Sequence, residues 1–300
     1  MFLLIILCLC KLILTNNTIF LNMAVRKFNY EFDGVHYYRF SVYRMGNNVQ
    51  TVYAFVVGEV LIDTAQSHNR ENILKVVNQH PISKILLTHH HEDHSGNVAY
   101  LMDKLEIDAY AHPKAVKILK KGINVSPLSK LLSGNVAGAN LKPLSEDDII
   151  TTNNYTLHPI YTPGHCDDHF CYHEPNKGWL FSGDLYVADK IKYFASFESL
   201  LTQIASLKKL IALDFDVLFC SHNPKVHNGK QHLKNKLQFF EDFAGKVEDY
   251  YHQGYTAQQI FSLMGMKENY TNKYLTFGAF CAENMVHSVI KDLKKGHKFN

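Results

Sequence analysis

Directly after a short apolar strand, KILLT at Lys84–Thr88, the chain sets His89, His90, His91, Glu92, Asp93 and His94 in consecutive positions. Four imidazoles and two carboxylates in so short a loop are poor core material, because each costs free energy to bury unless it is bonded. Neutral imidazole and carboxylate are, however, the side chains that bind zinc or iron. On a loop leaving a strand end, alternate residues His89 and His91 point to one side while Asp93 and His94 turn to another. That arrangement suits two adjacent metals rather than one tetrahedral centre. A merely solvated histidine run is the bland alternative, and the loop's internal position, its admixed Asp and its strand anchor speak against it.

Further candidates lie at other expected strand ends. Thr162-Pro163-Gly164-His165 follows TLHPIY, Ser182-Gly183-Asp184 follows GWLF, and Ser221-His222 follows DVLFC. Each puts a His or Asp just past an apolar strand, often beside a glycine that permits close backbone approach. Singly each is weak. Strand-end loops on one side of a sheet converge in space, so together with the histidine loop they form a strong set.

The rest of the chain supplies the frame. HYYRFSVYRM (His36–Met45) and VQTVYAFVVGEVLIDTA (Val49–Ala65) are rich in β-branched and aromatic residues, with turn signals at Gly46-Asn47-Asn48 and Gly58. NRENILKVVNQH presents Ile73, Val76 and Val77 at helical spacing. Helices are expected at 97–105 and 113–121 around a strand at Asp108–Ala111. Gly122–Pro143 reads as an irregular or broken-helical insertion of the kind that forms lids or binding loops. Strands follow at 156–162, 169–173, 178–183 and 216–220. Phe197, Leu200, Leu201, Ile204, Leu207 and Ile211 are expected on one helical stripe. From His227 onward the pattern is helical, with a capping box at Thr256 and Gln259 and a last apolar face at Met285, Val286, Val289 and Ile290. Periodicity alone gives α/β with a helical tail.

Composition narrows the function classes. The 300 residues are 46% apolar and 20% charged, which excludes a disordered tail, a collagen-like fibre or a many-pass membrane protein. The formal charge of +3 comes without a polybasic run, so neither nucleic acid nor a membrane is indicated as an obligatory partner, and a small molecule is the expected one. Cysteines 8, 10, 166, 171, 220 and 281 form no C-x-x-C pair and read as reduced thiols of a cytoplasmic protein. Met1–Leu14 is too short to span a bilayer and is interrupted by Lys11. Residues 1–22 therefore read first as an extension ahead of a start at Met23, and second as an export or membrane-association signal. Residues 23–227 form the expected catalytic domain and 228–300 a helical C-terminal subdomain. Oligomeric state is not legible.

With His89, His91, Asp93 and His94 completing H-x-H-x-D-H, and TPGH, SGD and His222 following, the chain resembles the metallo-β-lactamase superfamily of metallohydrolases over roughly Phe40 to Asn228. The resemblance implies an αββα sandwich with metals at one edge between two sheets. It implies that one metal takes His89, His91, His165 and Asp184 and the other Asp93, His94, Asp184 and His222, with Asp184 bridging. Asp63, in LIDTA, would support the site from behind. His169 reads as a donor to substrate, as support for the site, or equally as a structural histidine. The SGD aspartate is typical of glyoxalase II-like and nuclease-like members, whereas true β-lactamases generally lack it. TPGHCDDH also looks like the branch of endoribonuclease-like LACTB2 proteins, which add a helical C-terminal domain. Lys192 and Tyr193 are faintly similar to the glutathione-contacting Lys and Tyr of hydroxyacylglutathione hydrolases, within surroundings that depart from them.

The chemistry expected is dinuclear metal-dependent hydrolysis: a hydroxide between two divalent cations, zinc first with iron or manganese as alternatives, attacks a small ester, thioester or lactone while Asp93 orients it. A phosphodiesterase or endoribonuclease is the second reading, with no basic aromatic groove to favour it. A mononuclear iron sulfur-dioxygenase or a non-catalytic metal-binding protein is the third. Cys166 is expected to be a packed thiol, and His90 and Glu92 have no assigned role.

Overall fold

A computed structural model describes residues 23–299, so the expectations for residues 1–22, including Cys8 and Cys10, lie outside the described residues. The first sheet holds seven strands in chain order. These are β1 (Met23–Phe32), β2 (Val35–Arg44), β3 (Asn47–Val57), β4 (Val60–Ile62), β5 (Lys84–Leu86), β6 (Asp108–Ala111) and β7 (Lys142–Pro143). Pairing is antiparallel from β1 to β4 and parallel from β4 to β7. The parallel crossovers carry helices α1 (Arg70–Val77), α2 (Glu92–Ser95), α3 (Val98–Leu105), α4 (Pro113–Leu119) and α5 (Pro127–Leu132).

Strands β8 (Ile150–Thr152), β9 (Tyr155–Tyr161), β10 (Phe170–Glu174) and β11 (Trp179–Gly183) build the second sheet, and β12 (Phe194–Ala195) stands apart from it. With β13 (Val217–Cys220), the second sheet has five strands in the order β13-β11-β10-β9-β8. Helices α6 (Leu200–Ile211), α7 (Gly229–His252), α8 (Ala257–Leu263) and, after α9 (Tyr270–Leu275), α10 (Glu283–Leu293) cover its outer face, while α9 lies beside β14 (Phe280–Cys281), which pairs with β12.

Side-chain alternation explains the layers. Along β3 to β5, Val56, Leu61 and Ile85 pack under the first helical layer with Ile73, Val76 and Leu101. Their neighbours Phe55, Ile62 and Leu86 face the second sheet instead. There Phe55, Phe181 and Phe219 meet with ring centroids 4.9–5.6 Å apart, an aromatic core between the sheets. Burying each such ring contributes about 2–3 kcal/mol. On the far side Leu180 and Leu218 share one core with Leu207, Phe240, Val247, Met285 and Val289, so the C-terminal helices close the fourth layer. The expected αββα architecture is the one observed.

Two expectations need correction. Phe197 is not on the α6 stripe: Ser199 caps that helix, its hydroxyl accepting from the Thr202 N–H, and Phe197 stands in the preceding turn with 61% of its surface exposed. The tail read as wholly helical contains β14, whose partner among the described residues is the equally short β12, a pairing too brief to leave a period-two pattern. The 122–143 insertion is irregular around the single helix α5, as expected. The described cysteines Cys166, Cys171, Cys220 and Cys281 are all free and buried. Among the described residues, no helix is long and apolar enough to cross a membrane.

The topology places the site. Strands β4 and β5 are parallel, as are β11 and β13, and β9 runs with them because both flank β10 antiparallel. Their C-terminal ends therefore open on one edge of the sandwich, where the loops that follow carry Asp63, residues 88–94, His165, Asp184 and His222.

Candidate metal centre

The histidine loop leaves β5 and turns at once into α2, so His89 and His91 precede the helix while Asp93 and His94 ride on it. His89 Nε2 lies 2.9 Å from His91 Nδ1, which lies 3.1 Å from His165 Nε2. On the other side, His94 Nε2 is 3.6 Å from Asp93 Oδ1 and His222 Nε2 is 3.7 Å from Asp93 Oδ2. Asp184 spans the two groups. Its Oδ1 is 3.4 Å from His94 Nε2 and 3.1 Å from His222 Nε2, and its Oδ2 is 3.6 Å from His165 Nε2. The structure thus brings together all of His89, His91, Asp93, His94, His165, Asp184 and His222.

The outward atoms of these rings fix where the protons sit. His222 Nδ1 is 2.6 Å from the Thr51 carbonyl, which can only accept, so Nδ1 carries a hydrogen and Nε2 is the nitrogen that faces inward. His94 Nδ1 donates to Asp63 Oδ2 at 2.8 Å in the same way. The Thr88 hydroxyl donates to Asp63 at 2.8 Å, which leaves its oxygen to accept from His89 Nδ1 at 3.0 Å. His165 Nδ1 faces Glu198 Oε2 at 3.6 Å. Inside the cluster the remaining ring nitrogens converge on carboxylate oxygens, His222 Nε2 lying 3.2 Å from Asp184 Oδ2, so a proton or a cation must stand between them. Among the described residues, buried His94 Nε2 and Asp184 Oδ1 have no hydrogen-bond partner. Nitrogen and oxygen ligand atoms converging in this way fit divalent zinc, iron or manganese, and the outward bonds are the kind that orient metal-binding imidazoles.

The electrostatics of the metal-free protein show the same demand for positive charge. Burial would lower the His222 imidazole, but the Asp184 carboxylate beside it pushes it up to about 9. Burial acts likewise on His94, yet Asp184, Asp93 and Asp63 hold it well above the ordinary range. On the other side of Asp184, burial and the neighbouring His94 and His91 drive His89 well below that range.

Supporting residues divide into those the sequence indicated and those it did not. Asp63, at the end of β4, is fully buried at φ 62°, and its carboxylate also accepts from the Thr88 N–H at 2.8 Å. His169 is buried with its Nε2 accepting from the Asp184 N–H at 3.1 Å and Nδ1 2.8 Å from the Thr162 hydroxyl. Burial takes its imidazole down to about 3, so it is neutral and steadies the Asp184 turn. Gly183, at φ 49°, makes this possible, because a Cβ there would lie 2.5 Å from His169 Nε2. Lys192 and Tyr193 are not brought to the cluster: they line a separate cavity of about 1250 Å3 against α7 and the C-terminal segment, which none of the seven residues lines.

Glu198 and Asp168 were missed. Glu198 sits in the turn before α6, held by the Ala195 N–H at 3.1 Å and the Gln203 amide at 2.6 Å, and nothing in its local sequence marks it. Asp168 accepts from both the His90 backbone N–H at 2.9 Å and the His90 ring at 2.8 Å, a role the second aspartate of TPGHCDDH could have suggested. Substituting Glu198→Gln is expected to weaken binding of one cation about tenfold by loosening His165, without unfolding the chain. Chelator competition on the zinc-loaded protein measures it, and unchanged affinity for both cations would remove Glu198 from the site.

A family model described as the Metallo-beta-lactamase superfamily matches residues 48–222. A hydroxyacylglutathione hydrolase of Legionella pneumophila (strain Corby) is 32% identical over 155 residues, covering 51% of this chain and 53% of that protein. The beta-lactamase-like protein 2 homolog of Drosophila melanogaster is 28% identical over 189 residues, covering 63% and 56%. The chain thus spans about half the length of the curated relatives it matches. Among solved structures, a beta-lactamase domain protein from Burkholderia ambifaria superposes with a TM-score of 0.66 over 89% of both chains at 16% identity, a likeness of fold.

Proposed function

The chain belongs to the metallo-beta-lactamase superfamily, and from that premise we propose that it is a dinuclear metal-dependent hydrolase of a small thioester, ester or lactone. One observation carries the reading: Asp184 stands between two sets of inward-facing donors, within 3.1–3.6 Å of His94, His165 and His222. His89, His91 and His165 would hold one cation, Asp93, His94 and His222 the other, and Asp184 would touch both. Divalent cations bound there supply Lewis acidity and bring the pKa of a water toward neutrality.

The chain's own residues do the rest. His94 and His222, each fixed by an outward acceptor, keep their lone pairs aimed inward without reorganising during turnover. Asp93, on the first turn of α2, would accept a proton from a nucleophilic water and orient it. Cys166 is unsuited as a nucleophile: burial pushes its thiol well above the ordinary range. A thioester is the favoured substrate class because the hydroxyacylglutathione hydrolase relative bears that activity in its name.

The test is a purified chain loaded with zinc, iron or manganese, assayed against S-lactoylglutathione and simple thioesters beside bis-p-nitrophenyl phosphate and short RNA. Two bound cations per chain with thioester turnover is the expected result. Phosphodiester cleavage alone would replace the proposal with the nuclease reading, and oxygen consumption by the iron form would replace it with a dioxygenase.

A further inference from the structure

Beside the metal centre lies a pocket of about 470 Å3 that the proposed chemistry does not use, and His91 forms part of its wall. A substrate held at the cations has this pocket within reach of one of its arms. The volume suits such an arm, since whole ligand sites run about 300–1,000 Å3.

Part of its wall is apolar. The misplaced Phe197 lies against the His91 ring with centroids 5.7 Å apart, leaving most of its own ring in the open. Ile118, 38% exposed on α4, and the buried Cys166 complete the apolar surface. A large aromatic ring kept uncovered next to a polar centre gains by burial only when something apolar lies on it. The turn that carries Phe197 is tied to the C-terminal segment: the Ser196 N–H donates to the Ala279 carbonyl at 2.8 Å, and the Asn284 amide donates to the Phe194 carbonyl at 2.9 Å.

Its rim is cationic. Lys114 and Lys117 project from one face of α4, three residues apart. Two carboxylates, Asp167 and Asp168, also line the pocket, and both are engaged. Asp168 is buried and accepts two bonds from His90, while Asp167, 86% exposed, faces Lys114 at 3.6 Å. Among the described residues, Lys117 has no ion-pair partner.

We propose that this pocket is a substrate subsite for a flat apolar arm ending in an anionic group, carboxylate or phosphate, which Lys117 and Lys114 receive while Phe197 covers the arm. The inference rests on the hydrolase reading and adds the substrate class: an anionic thioester or ester in preference to its neutral isostere.

The experiment compares N-acetylcysteamine thioesters of 4-carboxybenzoate and 4-methylbenzoate, and benzoyl thioesters of 4-carboxy- and 4-methylthiophenol, so that the charge rides on either arm. For one arm, kcat/KM of the anionic member is expected to exceed that of the neutral one about tenfold. The ratio should fall toward one in the Lys114→Gln/Lys117→Gln variant and with added salt, and persist in Lys120→Gln, which lies off the pocket. Carboxylate and phosphate ends are then compared on the favoured arm. Equal rates on both arms, or a ratio untouched by the double substitution, overturns the proposal. If the loaded enzyme cleaves none of these compounds, the hydrolase reading has failed. The pocket is then judged by calorimetric binding of 2-naphthalenesulfonate to the metal-free chain: binding weakened about tenfold by the double substitution upholds it, and equal or absent binding sinks it.

Discussion

Replacing Asp184 by Asn is expected to leave the chain folded, strip it of at least one cation and lower hydrolysis by about 1,000-fold or more, well beyond the 10–100-fold typical of outer positioning residues. The side chains are nearly the same size, so packing around the β11 turn survives. What changes is the inner surface. An amide offers one neutral oxygen where the carboxylate offered two charged ones, and its NH2 donates to the lone pair of His222 or His165 that a cation should receive. Elemental analysis after buffer exchange, with thermal unfolding as the control, decides the matter. An Asp184→Asn protein that retains both cations would show that this carboxylate does not join the two sites.

The same residue sets a pH dependence. In the metal-free chain His222 is raised to about 9 by Asp184, above its ordinary value of 6.5. Its contribution to stability is therefore complete below pH 6.5 and disappears as pH rises through about 9. A cation must displace that proton, so wild-type affinity should climb with pH up to about 9. In Asp184→Asn burial acts with less opposition, and this part of the climb should move to lower pH.

How much of this could be read from the chain follows from where each signal lies. His89, His91, Asp93 and His94 are contiguous and follow a strand, so their purpose is written locally. His165, Asp184 and His222 each follow the end of an apolar strand within four residues, and the parallel relation of β9, β11 and β13 is what gathers them. Glu198 and Phe197 had no such marker. Their position depends on Ser199 starting α6 and on the C-terminal segment bonding the turn, contacts made across some 80 to 90 residues of sequence. Periodicity assigned Phe197 to a helix stripe because an apolar residue three before Leu200 satisfies that spacing whether or not the helix reaches it. The apolar pocket wall at the metal centre was thereby counted as core.

Asp63 is the position where a conservative change should do disproportionate harm. Its carboxylate takes hydrogen bonds from the Thr88 N–H, the Thr88 hydroxyl and His94 Nδ1, all at 2.8 Å and all buried. Asp63→Ala leaves these donors without a partner and places Ala at φ 62°, so a loss of about 3–5 kcal/mol is expected. Asp63→Asn separates folding from function. Asn tolerates the left-handed backbone and keeps one oxygen for the Thr88 N–H, so stability should fall by only about 1–3 kcal/mol. Its NH2, however, then faces His94 Nδ1–H donor to donor. The imidazole relieves this by moving its proton to Nε2, the atom that must face the cation as a lone pair, and affinity for that cation should drop by about 10–100-fold. Urea unfolding of the metal-free proteins and chelator competition on the loaded ones give the two quantities separately. If the Asn variant binds both cations as wild type does, the proton on His94 is set by something other than Asp63, and the inward lone pairs lose the support on which the centre's assembly has been argued.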